Sequence, residues 1–215
     1  SPLNYTGGKY KLFPQIKEFF PKNIDKFYDI FSGGANIGIN IKANEIICID
    51  KEKILINFFN FLKSKNFDYI KSNIIDIINK YNLSNTSDFG YEYYNSNSFD
   101  GVGNYNKDNY SLLKKDFNKL VDHTSEKAIL MFYVLIVYSF NNQIRFNNNN
   151  HWNMPVGKRD FNNSMKNNLE IFHERINKIN IKFNCLDFRN INITNLTEDD
   201  FIYMDPPYFI TNATY

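Results

Sequence analysis

Short, dense apolar runs separated by polar punctuation set the pattern of this chain. Phe27-Tyr28-Asp29-Ile30-Phe31, Glu45-Ile46-Ile47-Cys48-Ile49, Ile181 to Leu186 and Phe201-Ile202-Tyr203-Met204 are rich in β-branched and aromatic residues. Such runs predict strands buried on both faces. Glu52 to Lys63 instead places Ile54, Leu55, Phe58, Phe59 and Leu62 at helical spacing. A second helix is predicted from Asn36, carrying Ile37, Ile39 and Ile41, and a short one over Leu12 to Phe20 with Pro14 in its first turn. Strand, helix, strand, helix in this order predicts a parallel, doubly wound α/β sheet.

From Asn66 the pattern changes. Helical periods appear at Phe67 to Tyr81, Asn109 to Leu120 and Thr124 to Phe140, with no strand between them. Tyr91 to Asn109, rich in Tyr, Asn, Ser and Gly, predicts a long loop. Gln143-Ile144-Arg145-Phe146 and His151-Trp152-Asn153-Met154 flank the polar tip Asn147 to Asn150, which predicts a hairpin. The expected organisation is a Rossmann-like domain over 1–65 and 176–215, interrupted at 66–175 by a mostly helical subdomain carrying a β-hairpin.

Composition narrows the class. A length of 215 residues and 43% hydrophobic content suit one domain with an insertion and a real core. No apolar run reaches the roughly 18 residues of a membrane span, and Tyr5-Thr6-Gly7-Gly8-Lys9 is too polar for a signal peptide. Cys48 and Cys185 both lie in strand-like segments, which predicts free core thiols and a cytoplasmic protein. His123, His151 and His173 are scattered, so no metal is expected. The net charge of +2 does not identify a partner. Asn141 to Arg159, however, contains no acid while carrying Arg145, Lys158 and Arg159.

The chemistry concentrates at strand ends. Asp205-Pro206-Pro207-Tyr208 follows the last strand, where open α/β sheets hold their ligands. Two prolines remove two donors and stiffen the loop. A carboxylate, a free carbonyl and an aromatic ring can accept both hydrogens of an exocyclic amine and stack on its planar base; a plain stiff turn is the alternative. Asp29-Ile30-Phe31-Ser32-Gly33-Gly34 ends the first strand, and its glycines allow close approach of a ligand. The spacing departs from the dinucleotide fingerprint, which disfavours a nicotinamide cofactor. Asp50 ends the second strand, where an acid binds a ribose diol or caps the next helix. Loop and acid together suit an adenosine-containing ligand without a pyrophosphate, and S-adenosylmethionine fits.

These segments, with Tyr5 to Lys9, Asn142-Gln143-Ile144-Arg145 and Pro155-Val156-Gly157-Lys158-Arg159, occur in an order that resembles Dam-type DNA adenine-N6 methyltransferases. The resemblance covers essentially the whole chain. It implies that Tyr5 and Lys9 line the cofactor pocket, that Phe31 and Gly33 border the methionine moiety, and that Asp50 holds the ribose. Asp187 and Phe188 would bracket the cofactor's adenine. It assigns Asp205, Pro206 and Tyr208 to the flipped target base, with Asp205 also facing the cofactor. Asn141, Asn142, Gln143, Arg145, Pro155, Lys158 and Arg159 would contact double-stranded DNA, in a GATC or related word. A monomer is implied, with a cognate restriction endonuclease as a possible partner. Two departures are Ala35 in place of a further glycine, and an end at Tyr215 soon after the catalytic loop, which reads as a fragment. A catalytically impaired cofactor- and DNA-binding module is therefore the competing reading, with RNA or protein amino methylation a third.

Overall fold

The computed structural model describes residues 1–3, 8–192 and 194–206. Four parallel strands form one sheet: β1 (Lys26–Ile30), β2 (Glu45–Asp50), β3 (Ile181–Cys185) and β4 (Phe201–Met204), in the order β3-β2-β1-β4. Register is continuous across it, with Tyr28 opposite both Ile47 and Ile202 and Cys48 opposite Phe183. The chain works outward from β1 to β3 and then returns to β1's other side. The strand order therefore reverses between β1 and β4, and a Rossmann-like sheet opens its ligand crevice at that reversal.

A short helix α1 (Phe13–Lys17), with Pro14 in its first turn, precedes the sheet. After β2 come α2 (Lys53–Ser64), α3 (Phe67–Lys80), α4 (Thr86–Phe89), α5 (Gly103–Asn118), α6 (Glu126–Tyr138) and α7 (Asn163–Lys178). Every residue of α6 from Ala128 to Tyr138 is buried, so this helix is apolar all round and forms the axis on which α2, α3 and α5 pack. Stacking of Phe58 on Tyr133, ring centroids 5.1 Å apart, joins α2 to that axis. No helix among the described residues is long and apolar enough to cross a membrane.

The expected helix from Asn36 is a tight turn ending in a short 3-10 segment, Gly38–Asn40. Residues 37, 39 and 41 advance about 200° per step on a helix, so a helix could not bury all three isoleucines on one side. The turn buries all of them. It also brings the Gly38 N–H to Asp29 Oδ2 at 3.0 Å. The expected loop over Tyr91 to Asn109 is shorter, because α5 begins at Gly103. Buried Asn106 fixes that first turn: its Oδ1 accepts from Ser84 N at 2.8 Å and its Nδ2 donates to Ser84 Oγ at 2.9 Å. Cys185 is exposed at the end of β3, a correction to the expectation of two core thiols; only Cys48 is buried. Hydropathy did not announce α7, whose buried positions are just Leu169, Phe172 and Ile176.

Two results test this packing. Phe59 is fully buried and its ring meets Phe172 of α7 at 5.4 Å and Phe183 of β3 at 5.0 Å. Phe59→Ala should cost about 3–5 kcal/mol, seen as a lower chemical-denaturation midpoint. Asp29 is 2% exposed, and burial pushes its carboxyl up to about 7, with Asp50 and Asp205 adding to the rise and the Gly38 N–H opposing it. An unfolded aspartate ionises near 4, so between pH about 4 and 7 the folded chain binds the extra proton and loses stability as pH rises. Asp29→Asn removes that loss. Its stability relative to wild type should climb by up to about 4 kcal/mol across the window, and a flat difference would contradict the assignment.

Candidate active site and nucleic-acid interface

Three strand ends meet at the reversal in the sheet. Phe31 leaves β1 with φ 66°, followed by Gly33 at 47° and Ala35 at 55°. A positive φ at a bulky residue such as Phe is a genuine outlier, and such strain gathers at functional sites. The bend is held from below by Asp50. Its Oδ2 accepts from Gly33 N and its Oδ1 from Glu52 N, both at 2.9 Å, while its carbonyl accepts from Leu186 N at 3.1 Å. One residue thus joins the glycine loop, the start of α2 and the end of β3. Among the described residues, two of the carboxylate's roughly four acceptor positions are unfilled.

Across the reversal, Asp205 follows β4 and forms an ion pair with Lys9 at 2.6 Å, both side chains largely shielded. The structure therefore brings together two residues that lie at opposite ends of the chain. It also joins Phe31 and Phe188, whose rings lie 5.2 Å apart as a tilted aromatic wall beside the glycine loop. Asp187 caps its own short turn through Arg189 N at 3.0 Å and grips the Arg189 guanidinium with both oxygens, at 2.8 and 2.7 Å. That grip holds its carboxyl well below the usual carboxylate range. Pro206 is exposed after Asp205. Tyr5 and Tyr208 lie outside the described residues. Among those described, no group of three or more His, Cys, Asp or Glu residues could hold a metal ion.

The hairpin after α6 is loosely paired but firmly rooted. Phe146 and Trp152 form an antiparallel bridge, and Asn147 N donates to His151 O at 2.9 Å. Trp152 is buried and donates from its indole to Tyr110 Oη at 2.8 Å. The Asn118 side chain brackets the Trp152 backbone, accepting from its N–H at 2.8 Å and donating to its carbonyl at 3.0 Å. Arg145 is exposed at the hairpin's side, where its Nε donates to Asn153 Oδ1 at 2.8 Å and its Nη2 to Asn153 O at 3.0 Å. A shallow cavity of about 480 Å³ opens there, lined by Arg145, Phe146, Asn147, Asn148, Asn149 and Asn153.

Asn141 and Asn142 adopt left-handed φ of 55° and 53° between α6 and the hairpin. The Asn142 amide donates to Val137 O at 2.7 Å and Ile136 O at 3.3 Å, capping α6. Gln143 accepts on its carbonyl from Ser139 Oγ. Pro155, Lys158 and Arg159 are exposed on the segment that pairs back onto Ser139 through Val156. Sequence reasoning overlooked Asn153 and Phe140, a ring 49% exposed beside Asn141. Hairpin register was the available signal for Asn153, since it places that residue opposite Arg145.

Comparison with known proteins fits this geometry. The model of the D12 class N6 adenine-specific DNA methyltransferases matches residues 5–215. The chain is 37% identical over its whole length to the type II methyltransferase M.FokI of Planomicrobium okeanokoites, covering 30% of that protein. It is 37% identical to the modification methylase StsI of Streptococcus sanguinis, covering 29% of it. A DNA adenine methylase of Haemophilus influenzae is 26% identical over 96% of the chain and 63% of that protein. The chain thus spans under a third of the length of the two relatives at 37% identity. A parallel sheet with its glycine loop and Asp205 flanking the strand reversal, together with a family match over nearly every residue, assigns the chain to the D12 class of N6 adenine-specific DNA methyltransferases.

Proposed function

We propose that this protein methylates the N6 amine of an adenine flipped out of duplex DNA, with S-adenosylmethionine as donor. The observation that carries the reading is the meeting of Asp205, Lys9 and the Asp50-held glycine loop at the strand reversal. Bound there, the donor supplies an electrophilic methyl group on a sulfonium. The residues suit it. Asp50 keeps acceptor positions open for a ribose diol, Phe31 and Phe188 offer flat apolar walls, and Gly33 lets backbone come close. The Ser32 hydroxyl is buried without a hydrogen-bond partner among the described residues. Such an orphan costs stability unless a ligand satisfies it.

The chemical work left to the chain is positioning. Adenine N6 is a poor nucleophile because its lone pair is delocalised into the ring. Hydrogen bonds from the amine to Asp205 and to the Pro206 carbonyl favour a pyramidal nitrogen with its lone pair free for attack. After transfer one amine proton leaves by way of Asp205. The Lys9 ammonium, 2.6 Å from Asp205 Oδ2, holds that carboxylate in place. Tyr208 is assigned to stack on the flipped base, and Tyr5 to the cofactor wall.

Residues 66–175 are assigned to target recognition. Arg145, held by Asn153 through Nε and Nη2, presents its outer edge to a guanine. Asn141 and Gln143 are assigned to base contacts, while Asn142, spent on α6, sets the bend they depend on. Pro155, Lys158 and Arg159 face the DNA backbone. The word is GATC or a relative of it, and higher identity to M.FokI and StsI than to DNA adenine methylases favours a relative. M.FokI is a type II methyltransferase and StsI a modification methylase, which supports a modification enzyme with a cognate endonuclease. We infer a cytoplasmic monomer.

Incubation with methyl-tritiated donor and duplex DNA should give label in N6-methyladenine after digestion to nucleosides; label in RNA alone, or in no nucleoside, contradicts the reading. Asp205→Ala should lower single-turnover transfer at least about 100-fold. Arg145→Ala should relax discrimination at one guanine by about 1–3 kcal/mol, read by competing duplexes that differ at single base pairs.

A further inference from the structure

The segment Ser96–Gly101 lies outside every role given so far, yet it is built onto the segment assigned above to the DNA backbone. Val102 N donates to Lys158 O at 2.9 Å. Gly101 has φ 71°, and a Cβ there would stand 2.3 Å from the Lys158 carbonyl oxygen, so only glycine lets the two backbones close. A few residues away, buried Asp160 accepts from Ser84 Oγ at 3.0 Å, Thr86 N at 2.7 Å and Thr86 Oγ1 at 2.8 Å. On the opposite side Gly157 N donates to Tyr138 O at 2.7 Å. Lys158 therefore emerges from a strip of backbone clamped on both flanks.

The loop is braced by its own hydrogen bonds. Asn97 Oδ1 accepts from Phe99 N at 2.9 Å and Asp100 N at 3.0 Å, and its Nδ2 donates to Asp100 Oδ2 at 2.7 Å. Ser96 Oγ closes it on Gly101 O at 2.5 Å. This framework holds out Phe99, a large apolar side chain that is 85% exposed. The Lys158 ammonium sits over the Phe99 ring at 5.6 Å from its centroid and reaches the Phe99 carbonyl oxygen at 3.5 Å. A flexible lysine side chain on open surface samples many rotamers. Here ring and carbonyl together restrict it.

We propose that Phe99 is a positioning residue for DNA binding, fixing the Lys158 ammonium where it meets a backbone phosphate. This rests on the DNA-methyltransferase reading. A preset cation forms its phosphate contact with less ordering cost than a mobile one, and the contact is independent of sequence. Phe99 acts through Lys158 rather than through the duplex.

Equilibrium binding of a labelled random-sequence duplex, measured across a salt series, tests it. Lys158→Ala should weaken binding and reduce the salt slope by about one. Phe99→Ala should weaken binding about two- to fivefold at moderate salt. Phe99→Tyr keeps the ring and should bind like wild type, whereas Phe99→Leu keeps apolar bulk without the π face and should behave like Phe99→Ala. In the Lys158→Ala background, Phe99→Ala should have no further effect. An equal loss from Phe99→Ala in both backgrounds, or none in either, overturns the proposal. Matching thermal midpoints for the variants confirm that folding is not the cause. If wild type neither binds nor methylates duplex DNA, the underlying functional reading fails instead.

Discussion

Everything at the candidate active site depends on the Asp50 carboxylate. It closes β2 and accepts backbone N–H groups from Gly33 and Glu52, while its own carbonyl accepts from Leu186. That double acceptance, with the Ser32 N bond to Ile49 O and the Ala35 N bond to Ser32 O, offsets the strain of the positive φ at Phe31. Hydrogen bonds to a carboxylate are stronger than those to a neutral acceptor, and Asp50 sits at the sheet's carboxyl edge. The same side chain thus shapes the loop and remains able to take a ligand.

Recognition is organised around a different device. Helix α6 is buried on every side, so the elements that touch DNA in the proposed function cannot be part of it; they grow from its C-terminal end. Asn142 caps that end, Val156 pairs with Ser139, and Trp152 roots the hairpin in α5 through Tyr110 and Asn118. Buried Asp160 ties the following segment to the start of α4. Packing of Phe146 and Trp152 on Phe132 buries the hairpin's base, and the polar contacts, which are directional, set its orientation. A hairpin with one bridge is marginal alone; rooted this way, it can hold Arg145 still.

The strands and α2 were legible because their apolar density matches burial on both faces or on one stripe. The turn after β1 was not, since hydropathy reports that Ile37, Ile39 and Ile41 are buried but not by which backbone path. Helix α7 escaped because three buried residues in a polar, asparagine-rich stretch leave little periodic signal. The early start of α5 depends on Asn106 finding Ser84, a pairing no local pattern encodes. At the site, strand-end acids and the glycine loop could be picked out by position. The Lys9–Asp205 pair, the Phe31–Phe188 wall, the Asn153 hold on Arg145 and the Phe99–Lys158 contact join segments far apart or side chains of unremarkable type, and only the fold reveals them.

In the proposed function the methyl donor lies against the glycine loop at the reversal of strand order, walled by Phe31 and Phe188. Ultraviolet crosslinking of labelled S-adenosylmethionine, followed by peptide mapping, reports that location directly. Label on peptides containing Phe31 or Phe188, suppressed by excess unlabelled donor, is the expected result. Suppressible label confined to α3, α5 or the Asn147 to Asn150 tip would contradict the account.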